Sequence, residues 1–214
     1  MEALRSLLVH PDAAKGRATI ILSSQFVRYM VLPSSVKLLS AAEEREFARA
    51  RFVQIYGQSA LEWTIALSVT AFGTGRLCAA VDRALVGALA TAVATSRLRL
   101  VSVQPVLMAL FNESRRSMGG DCWLVIAEPE RLLVAWICAG QWRSVRMRPL
   151  GGGAVILAEV LEQERLLLAA GGGQEIFLAS LGDVVVHTDG LKIIRLAPRT
   201  ERPDANFALA MCGL

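Results

Sequence analysis

Two stretches of the sequence carry residue types that occur at nucleotide sites. Asp121 follows two glycines and opens a segment, CWLVIAEPERLLVAW, that is typical of two strands joined by a charged turn. Gly171, Gly172 and Gly173 form a triplet within LLAAGGGQEIF. Glycine suits a phosphate loop because, lacking a Cβ, it lets backbone N–H groups approach phosphate oxygens. These four residues are the candidates for a nucleotide site.

Both candidates also have structural explanations. Cys122 and Trp123 follow Asp121 directly, and a tryptophan beside the loop should obstruct phosphate, so Asp121 is expected to be a turn or cap residue. The glycine triplet follows an apolar helical segment, where glycines often end a helix. We therefore expect no catalytic residue and no cofactor, with ATP and magnesium as the alternative.

Other catalytic and metal-binding patterns are missing from the sequence. It contains no G-x-x-x-x-G-K-[ST], G-x-S-x-G or H-E-x-x-H motif. Neither His10 nor His187 has a second ligand nearby, and His187 is predicted to be a structural residue at a strand end. No C-x-x-C pair occurs, so buried, reduced thiols are expected and no metal site is predicted. The cysteines are Cys78, Cys122, Cys138 and Cys212.

Composition restricts the location and the partners. The chain is 54% hydrophobic with a mean hydropathy of +0.45, but its longest uncharged runs, such as 84–96 and 100–112, are shorter than the roughly 18 residues that cross a bilayer. No signal-peptide pattern opens the sequence, which favours a cytoplasmic location. The net charge is +4, yet basic residues alternate with acidic ones and aromatics are few. Nucleic acid is not expected, and a weak anionic partner remains an alternative.

The first half of the sequence alternates strands and helices. Arg17–Pro33 is predicted to be a long β-rich stretch, much of which should lie inside a sheet. Ser40 and Glu43 form a capping-box pattern that begins a helix, and Gly57 marks its end. Three apolar residues of this helix are expected to share one face: Phe47, Ala50 and Ile55. Three carboxylates stabilise its N-terminus: Glu43, Glu44 and Glu46.

A hairpin and a second helix follow. LEWTIALSV and RLCAAV are predicted to pair across a turn at residues 72–75. Asp82 is predicted to cap the next helix, LRLVSVQP to be a strand, and Pro105 to lie near the first turn of a short helix. Polar and glycine residues at Ser117–Gly120 then predict a boundary between domains of residues 1–118 and 119–214.

The second half begins with a predicted antiparallel meander of CWLVIAE, RLLVAWICA and QWRSVRMRPL. A helix should run from the glycines at 151–153 to about Ala169, followed by strands in QEIFLAS and LKIIRLAP and a final helix that begins near Pro203 and Asp204. Alternation along the third meander strand places Arg146 and Arg148 on one face. That face is expected to be solvated or to bind an acidic partner segment. Arg143 belongs to the same series.

The order of these elements resembles a known family. CAAVDRALVGALATAVATSRLRLVSVQPVLMALFN followed by GDCWLVIAEPERLLVAWICAGQWRSVRMRPLGGG is similar to the actin-like cytoplasmic proteins of type IV pilus assembly and type II secretion, the PilM and GspL group. The resemblance covers residues 17–214. It implies an α/β, actin-like fold of two RNase H-like lobes.

The resemblance also implies where phosphate loops would lie. Only sixteen residues precede Arg17, so the family's first phosphate hairpin, with the N-terminal strands of lobe one, has no sequence to occupy. Either the protein lacks these strands or the chain is a fragment. The second hairpin aligns with Asp121, and the glycine turn that faces adenosine aligns with Gly171, Gly172 and Gly173.

The family comparison implies a non-catalytic scaffold or interaction protein of a pilus or secretion inner-membrane assembly. Its expected partner is a short cytoplasmic segment of an inner-membrane protein, which would hold the chain at the membrane without a span of its own. Self-association is plausible because missing strands leave a sheet edge to cover. The alternatives are an ATP-binding ATPase fragment and a sugar-kinase-superfamily enzyme. The enzyme would need a catalytic aspartate, for which Asp82 and Asp121 are the candidates.

Overall fold

In the computed structural model of this chain, the structure describes residues 16–33, 40–68, 75–150, 154–168 and 175–196. These residues fall into two units, one up to Ala109 and one from Leu110 onwards. The predicted boundary between residues 118 and 119 stays a prediction. Among the described residues, no helix is both long and apolar enough to span a membrane.

Strands and helices alternate along the chain, as the sequence predicts. The elements up to the start of the second unit are β1 (Gly16–Leu22), β2 (Arg28–Leu32), α1 (Ala41–Tyr56), β3 (Trp63–Leu67), β4 (Arg76–Asp82), α2 (Arg83–Ala94), β5 (Leu98–Pro105) and α3 (Val106–Ser114). The remaining elements are β6 (Cys122–Glu128), β7 (Arg131–Cys138), β8 (Gln141–Pro149), β9 (Val155–Ile156), α4 (Leu157–Leu168), β10 (Glu175–Ser180), β11 (Val186–His187) and β12 (Ile193–Arg195).

The region Arg17–Pro33 is β-rich, as predicted, but it consists of two strands in two different sheets. β1 pairs in parallel with β5, whereas β2 lies antiparallel to β4 in the order β2-β4-β3. A short 3-10 turn, Ser24–Phe26, separates them, and the Ser23 hydroxyl accepts a hydrogen bond from the Gln25 N–H at 3.2 Å. A serine side chain that bonds to its local backbone competes with the strand ladder, which is why the chain turns here.

The capping box of α1 is confirmed. The Ser40 N–H donates to Glu43 Oε2 at 2.7 Å, and the Glu43 N–H donates to Ser40 Oγ at 3.3 Å. The hydrogen bond from the Ser40 backbone lowers the pKa of Glu43. At the other end, Gly57 adopts φ +78°, a conformation that glycine reaches without strain. Local side-chain chemistry therefore sets both ends of the helix.

The buried face of α1 differs from the prediction. Ala48 and Phe52 are fully buried, Phe47 is half-buried, and Ala50 and Ile55 are exposed, with Ile55 58% accessible. The helix packs through Phe52 into a cluster with residues of the antiparallel sheet, and the Phe52 ring meets Trp63 edge to face at 6.0 Å. The position of this sheet selects the face, which the apolar residues of the helix alone do not reveal.

The next elements agree with the sequence. β3 and β4 form the predicted antiparallel hairpin, and residues 69–74 between them lie outside the described residues. Asp82 Oδ1 accepts a hydrogen bond from the Ala84 N–H at 2.7 Å and caps α2. β5 and α3 also lie where predicted, with Pro105 as the last strand residue before the helix.

The second unit is built on a five-stranded sheet in the order β12-β10-β6-β7-β8. β6, β7 and β8 form the predicted antiparallel meander, while β10 pairs in parallel with β6 and β12 in parallel with β10. Every residue of β6 is buried, as expected for the central strand. This order of three antiparallel strands followed by parallel ones agrees with the RNase H-like lobe that the resemblance implies.

Several details of the second unit were not predicted. β9 and β11 form a small parallel sheet. β9 comes directly before α4, which begins at Leu157, and β11 comes after the helix in sequence. The strand expected in LKIIRLAP is limited to Ile193–Arg195. The final helix near Pro203 and Asp204 falls outside the described residues, as do the glycines at 151–153 and 171–173.

Candidate functional site

The carboxyl ends of β6 and β10 are the first place to look for a site. In open α/β sheets, ligands bind beyond the carboxyl ends of the parallel strands. β6 and β10 run in parallel, with Ala127 paired to Ser180 at this end. β6 passes into β7 through the two-residue turn of Pro129 and Glu130. This turn is the position where a hairpin could present backbone N–H groups to a ligand.

The loop after β10 packs against the Pro129–Glu130 turn. The Leu181 N–H donates to the Ala127 carbonyl at 2.8 Å. Gly182 follows with φ +76°, and a Cβ at this residue would lie 3.1 Å from Pro129 Cγ. Gly182 is thus required both by its backbone conformation and by the close approach of the proline ring. The contact leaves little space between the turn and the loop.

The chemistry of this edge does not favour phosphate. Proline has no N–H to donate. Glu130 and Asp183 are exposed carboxylates beside the turn, and Glu128 is a buried one. Phosphate sites in proteins use free backbone N–H groups and positive charge. Among the described residues, the turn offers a proline and carboxylates, with Arg131 as the cation that follows it at the start of β7, and this combination without a glycine does not fit a nucleotide phosphate.

Asp121 lies at the other end of the β6–β7 hairpin from this turn. Its Oδ1 accepts a hydrogen bond from the Ala139 N–H at 2.7 Å, while the Gly140 N–H donates to the Gly120 carbonyl at 2.8 Å. Ala139 and Gly140 have φ +50° and +69° and form the tight turn between β7 and β8. The aspartate therefore braces this turn. The sequence places the aspartate at the open end of the hairpin but does not show that its carboxylate binds the backbone of the β7–β8 turn.

Trp123 is a core residue and does not obstruct the loop at Asp121. Its side chain is fully buried and its ring stacks on Trp136 with a centroid distance of 5.9 Å. The pair belongs to the apolar cluster of the second unit. The proposed obstruction of phosphate by Trp123 has no counterpart in this packing, because strand alternation turns the indole into the sheet core.

Arg146 and Arg148 share one face of β8, as predicted, and besides being partly solvated they are paired within their own chain. Both contact Glu164 on α4, whose side chain is only 1% exposed. Arg148 donates from Nη2 at 2.7 Å and from Nε at 3.0 Å to Glu164 Oε1, and Arg146 Nε lies 3.4 Å from Oε2. Arg148 also donates to Gln163. The arginines bind a buried carboxylate of their own chain, which a strand pattern alone cannot reveal.

The other titratable residues singled out in the sequence have surface or local roles. His187 is exposed at the end of β11. Glu44 pairs with Arg76 at 3.0 Å and ties α1 to β4. Glu46 lies 3.5 Å from Arg49, one turn along α1. None of these contacts brings together an acid, a base and a nucleophile.

The described cysteines are free thiols. Cys78 and Cys122 are buried, and Cys138 is half-buried. Burial raises the pKa of Cys78 to about 12 and that of Cys122 to about 11, which keeps both thiols protonated. In the part of the chain that the structure describes, no group of three or more His, Cys, Asp or Glu residues is placed to hold a metal ion. Cys212 and His10 lie outside that part.

Known structures share this fold at low sequence identity. The cytoplasmic domain of EpsL, an inner membrane component of the type II secretion system of Vibrio cholerae, matches with a TM-score of 0.55 and 10% identity over 92% of this chain and 75% of that one. The PilM–PilN type IV pilus biogenesis complex matches with a TM-score of 0.62 and 14% identity over 92% and 74%.

A third match is a Bacteroides thetaiotaomicron protein of unknown function with an actin-like ATPase fold. Its TM-score is 0.55 at 12% identity, over 89% of this chain and 77% of that one. No family model and no curated protein matches the sequence. The chain therefore has an α/β, actin-like fold of the PilM and GspL kind, as the resemblance implied.

Proposed function

We propose that this actin-like chain is a non-catalytic scaffold, an interaction protein of an inner-membrane assembly for a type IV pilus or type II secretion. One observation carries the non-catalytic part of the proposal. Where β6 and β10 end, Pro129 packs against Gly182, and the turn and the loop carry the exposed carboxylates Glu130 and Asp183. A nucleotide-binding lobe needs donors and positive charge at such an edge.

The proposed assembly role rests on the solved structures that share this fold. EpsL is described as an inner membrane component of a type II secretion system, and the PilM–PilN structure as a pilus biogenesis complex. Fold likeness at 10% and 14% identity is an analogy, because one fold hosts many functions. It nevertheless supports a protein partner from such an assembly. The partner that we propose is a short cytoplasmic segment of an inner-membrane protein, which would hold the chain at the membrane surface.

Titration calorimetry with Mg-ATP, run beside a thermal-shift scan, tests the non-catalytic part. A ligand present at about 100 times its Kd stabilises the folded state by about 2.7 kcal/mol, which a thermal scan detects readily. We expect neither heat nor a shift in melting temperature at millimolar nucleotide from a folded sample. Micromolar binding with a raised melting temperature would overturn the proposal in favour of an actin-like ATPase. Gly171, Gly172 and Gly173 would then be the first residues to mutate.

Direct binding measurements test the assembly part. Synthetic peptides that cover the cytoplasmic segments of pilus and secretion inner-membrane proteins from the source genome would be titrated against the chain. We expect saturable binding of at least one of them, and a scrambled peptide of the same composition is the matched control. If every segment behaves like its scrambled version, the assembly role is wrong, whatever the nucleotide result.

A further inference from the structure

A groove in the first unit runs between α2 and β5. Its volume is about 480 Å³. The lining residues come from the last two turns of α2 and the first half of β5: Ala90, Val93, Ala94, Leu98, Arg99, Leu100 and Val101. Six of the seven are aliphatic and one is an arginine, so the groove combines an apolar surface with a single positive charge at its wall. Neither the fold comparison nor the Asp121 and glycine-triplet candidates account for it.

A β-bulge shapes the strand side of this groove. In the parallel pair, Ala18 is opposite Leu100 and Thr19 is opposite Ser102, so Val101 is an extra residue on β5. Val101 is 43% exposed although it is a large apolar side chain. Bulges are uncommon in parallel pairs and occur preferentially at sheet edges and beside sites, where they redirect a side chain.

The edge of β5 that faces away from β1 is unpaired in the described part of the chain. A two-stranded parallel sheet is unusual, because parallel strands are normally covered on both sides. An open strand edge presents a row of N–H and C=O groups, to which an extended segment of another chain can add. The groove therefore has the features of a strand-addition site.

Three arginines give this site its charge. Arg17 and Arg99 are direct partners in the register of β1 and β5, on strands about 4.8 Å apart, and Arg97 precedes β5 by one residue. All three are exposed, and within the described residues none of their guanidinium groups forms a hydrogen bond or an ion pair. Like charges directly opposite each other destabilise a strand pair. An anionic ligand would relieve that repulsion.

We infer that the α2–β5 groove binds an acidic, apolar segment of a partner protein, extended along the free edge of β5. Carboxylates of the segment would meet Arg17, Arg97 and Arg99, and an aliphatic side chain would cover Val101. The charge of the groove selects the acidic segment, since a basic or neutral one would leave the facing arginines uncompensated. That the segment belongs to an inner-membrane assembly protein rests on the function proposed above.

The test uses a fluorescein-labelled peptide of four Glu-Leu repeats, whose alternation suits an added strand. Fluorescence anisotropy with the whole chain should show saturable binding that weakens as salt rises from 50 to 300 mM. Peptides of four Lys-Leu and four Glu-Ser repeats should bind at least tenfold more weakly, because the first has the wrong charge and the second lacks apolar side chains.

Two variants and a control locate the site. The double charge reversal Arg17→Glu with Arg99→Glu should weaken Glu-Leu binding by about tenfold or more, and Val101→Ser by a few-fold. Arg143→Glu, an exposed arginine on β8 of the other unit, is the control and should leave binding unchanged. Circular dichroism and a thermal scan on each variant establish that it is folded. Equal binding by the double variant and the parent chain would overturn the inference.

Other results distinguish this inference from binding to a lipid surface and from the scaffold proposal. If phosphatidylglycerol vesicles bind in an Arg17- and Arg99-dependent manner while the Glu-Leu peptide does not, the basic face contacts a lipid surface and the peptide inference is wrong. If an assembly segment binds with equal affinity to the parent and the double variant, the scaffold proposal stands and the groove inference falls. If the Glu-Leu peptide binds at the groove but no assembly segment does, the groove inference stands and the scaffold proposal falls.

Discussion

Removing Arg148 should destabilise the second unit more than removing the buried carboxylate that it contacts. Glu164 is 1% exposed, and two hydrogen bonds from Arg148, at 2.7 and 3.0 Å, supply its nearest donors. The arginine side chains are 29% exposed for Arg148 and 45% for Arg146, so they have access to water. The carboxylate does not. Deleting the arginine therefore leaves a buried carboxylate without its main partner, whereas deleting the carboxylate leaves arginines that can reach water.

The magnitudes follow from that difference. Breaking a buried ion pair by removing one partner costs about 3–5 kcal/mol when the remaining charge is uncompensated. Arg146 remains 3.4 Å away in Arg148→Ala, and both arginines are partly screened by solvent, so we expect a loss of about 2–3 kcal/mol in the free energy of unfolding. Glu164→Leu leaves only arginines that can reach water and adds apolar volume, so we expect a loss of about 1 kcal/mol or less.

Denaturant unfolding followed by tryptophan fluorescence measures both variants. Trp123, Trp136 and Trp142 all lie in the second unit, so the signal reports mainly on the region that contains Glu164. Arg143→Ala, an exposed neighbour on β8, is the matched control and should change the free energy by less than about 0.5 kcal/mol. If Glu164→Leu loses as much stability as Arg148→Ala, the reasoning from an uncompensated buried charge is refuted.

Three further predictions concern glycines and thiols. Gly182→Ala should cost more stability than Gly190→Ala in chemical denaturation. Both residues have φ near +75°, where an alanine is strained by about 1–2 kcal/mol. Only at Gly182 would the new Cβ also lie 3.1 Å from Pro129 Cγ. An equal loss would mean that the contact is unimportant. Gly87→Ala should stabilise by about 1 kcal/mol, since it is exposed within α2 with open space for a Cβ; a loss would contradict this. Cys78 and Cys122 should resist Ellman's reagent at pH 8 until the chain unfolds, because burial raises their pKa values to about 12 and about 11. Rapid labelling of either thiol in the native protein would contradict that expectation.

Elements defined by neighbouring residues could be predicted from the sequence. The capping box of Ser40 and Glu43 and the cap by Asp82 depend on contacts within three residues along the chain. The β6–β7–β8 meander was predictable for the same reason, because each strand pairs with the next one across a tight turn. The order of elements was also sufficient to suggest the actin-like fold that the structural comparisons support.

Features that join distant parts of the chain could not be predicted in this way. Both strands within Arg17–Pro33 are apolar, so nothing in that stretch indicates that one pairs with β5 and the other with β4. Ile55 falls on an apolar stripe of α1, yet it is exposed because the helix packs through Phe52. Which apolar residues are covered depends on where the opposing sheet lies, and that is a tertiary property.

The candidate site also combines features that are predictable from local sequence with features that depend on tertiary contacts. The amino-acid sequence limits how many residues could do chemistry: it has two histidines, no catalytic motif and an isolated aspartate beside a predicted hairpin. The three-dimensional contacts show that Asp121 braces the β7–β8 turn, that Pro129 meets Gly182 at the carboxyl edge, and that Arg148 binds a buried glutamate. Residue types limit the possible chemistry, but its place depends on strand register and on contacts between residues far apart in sequence, which local patterns do not encode.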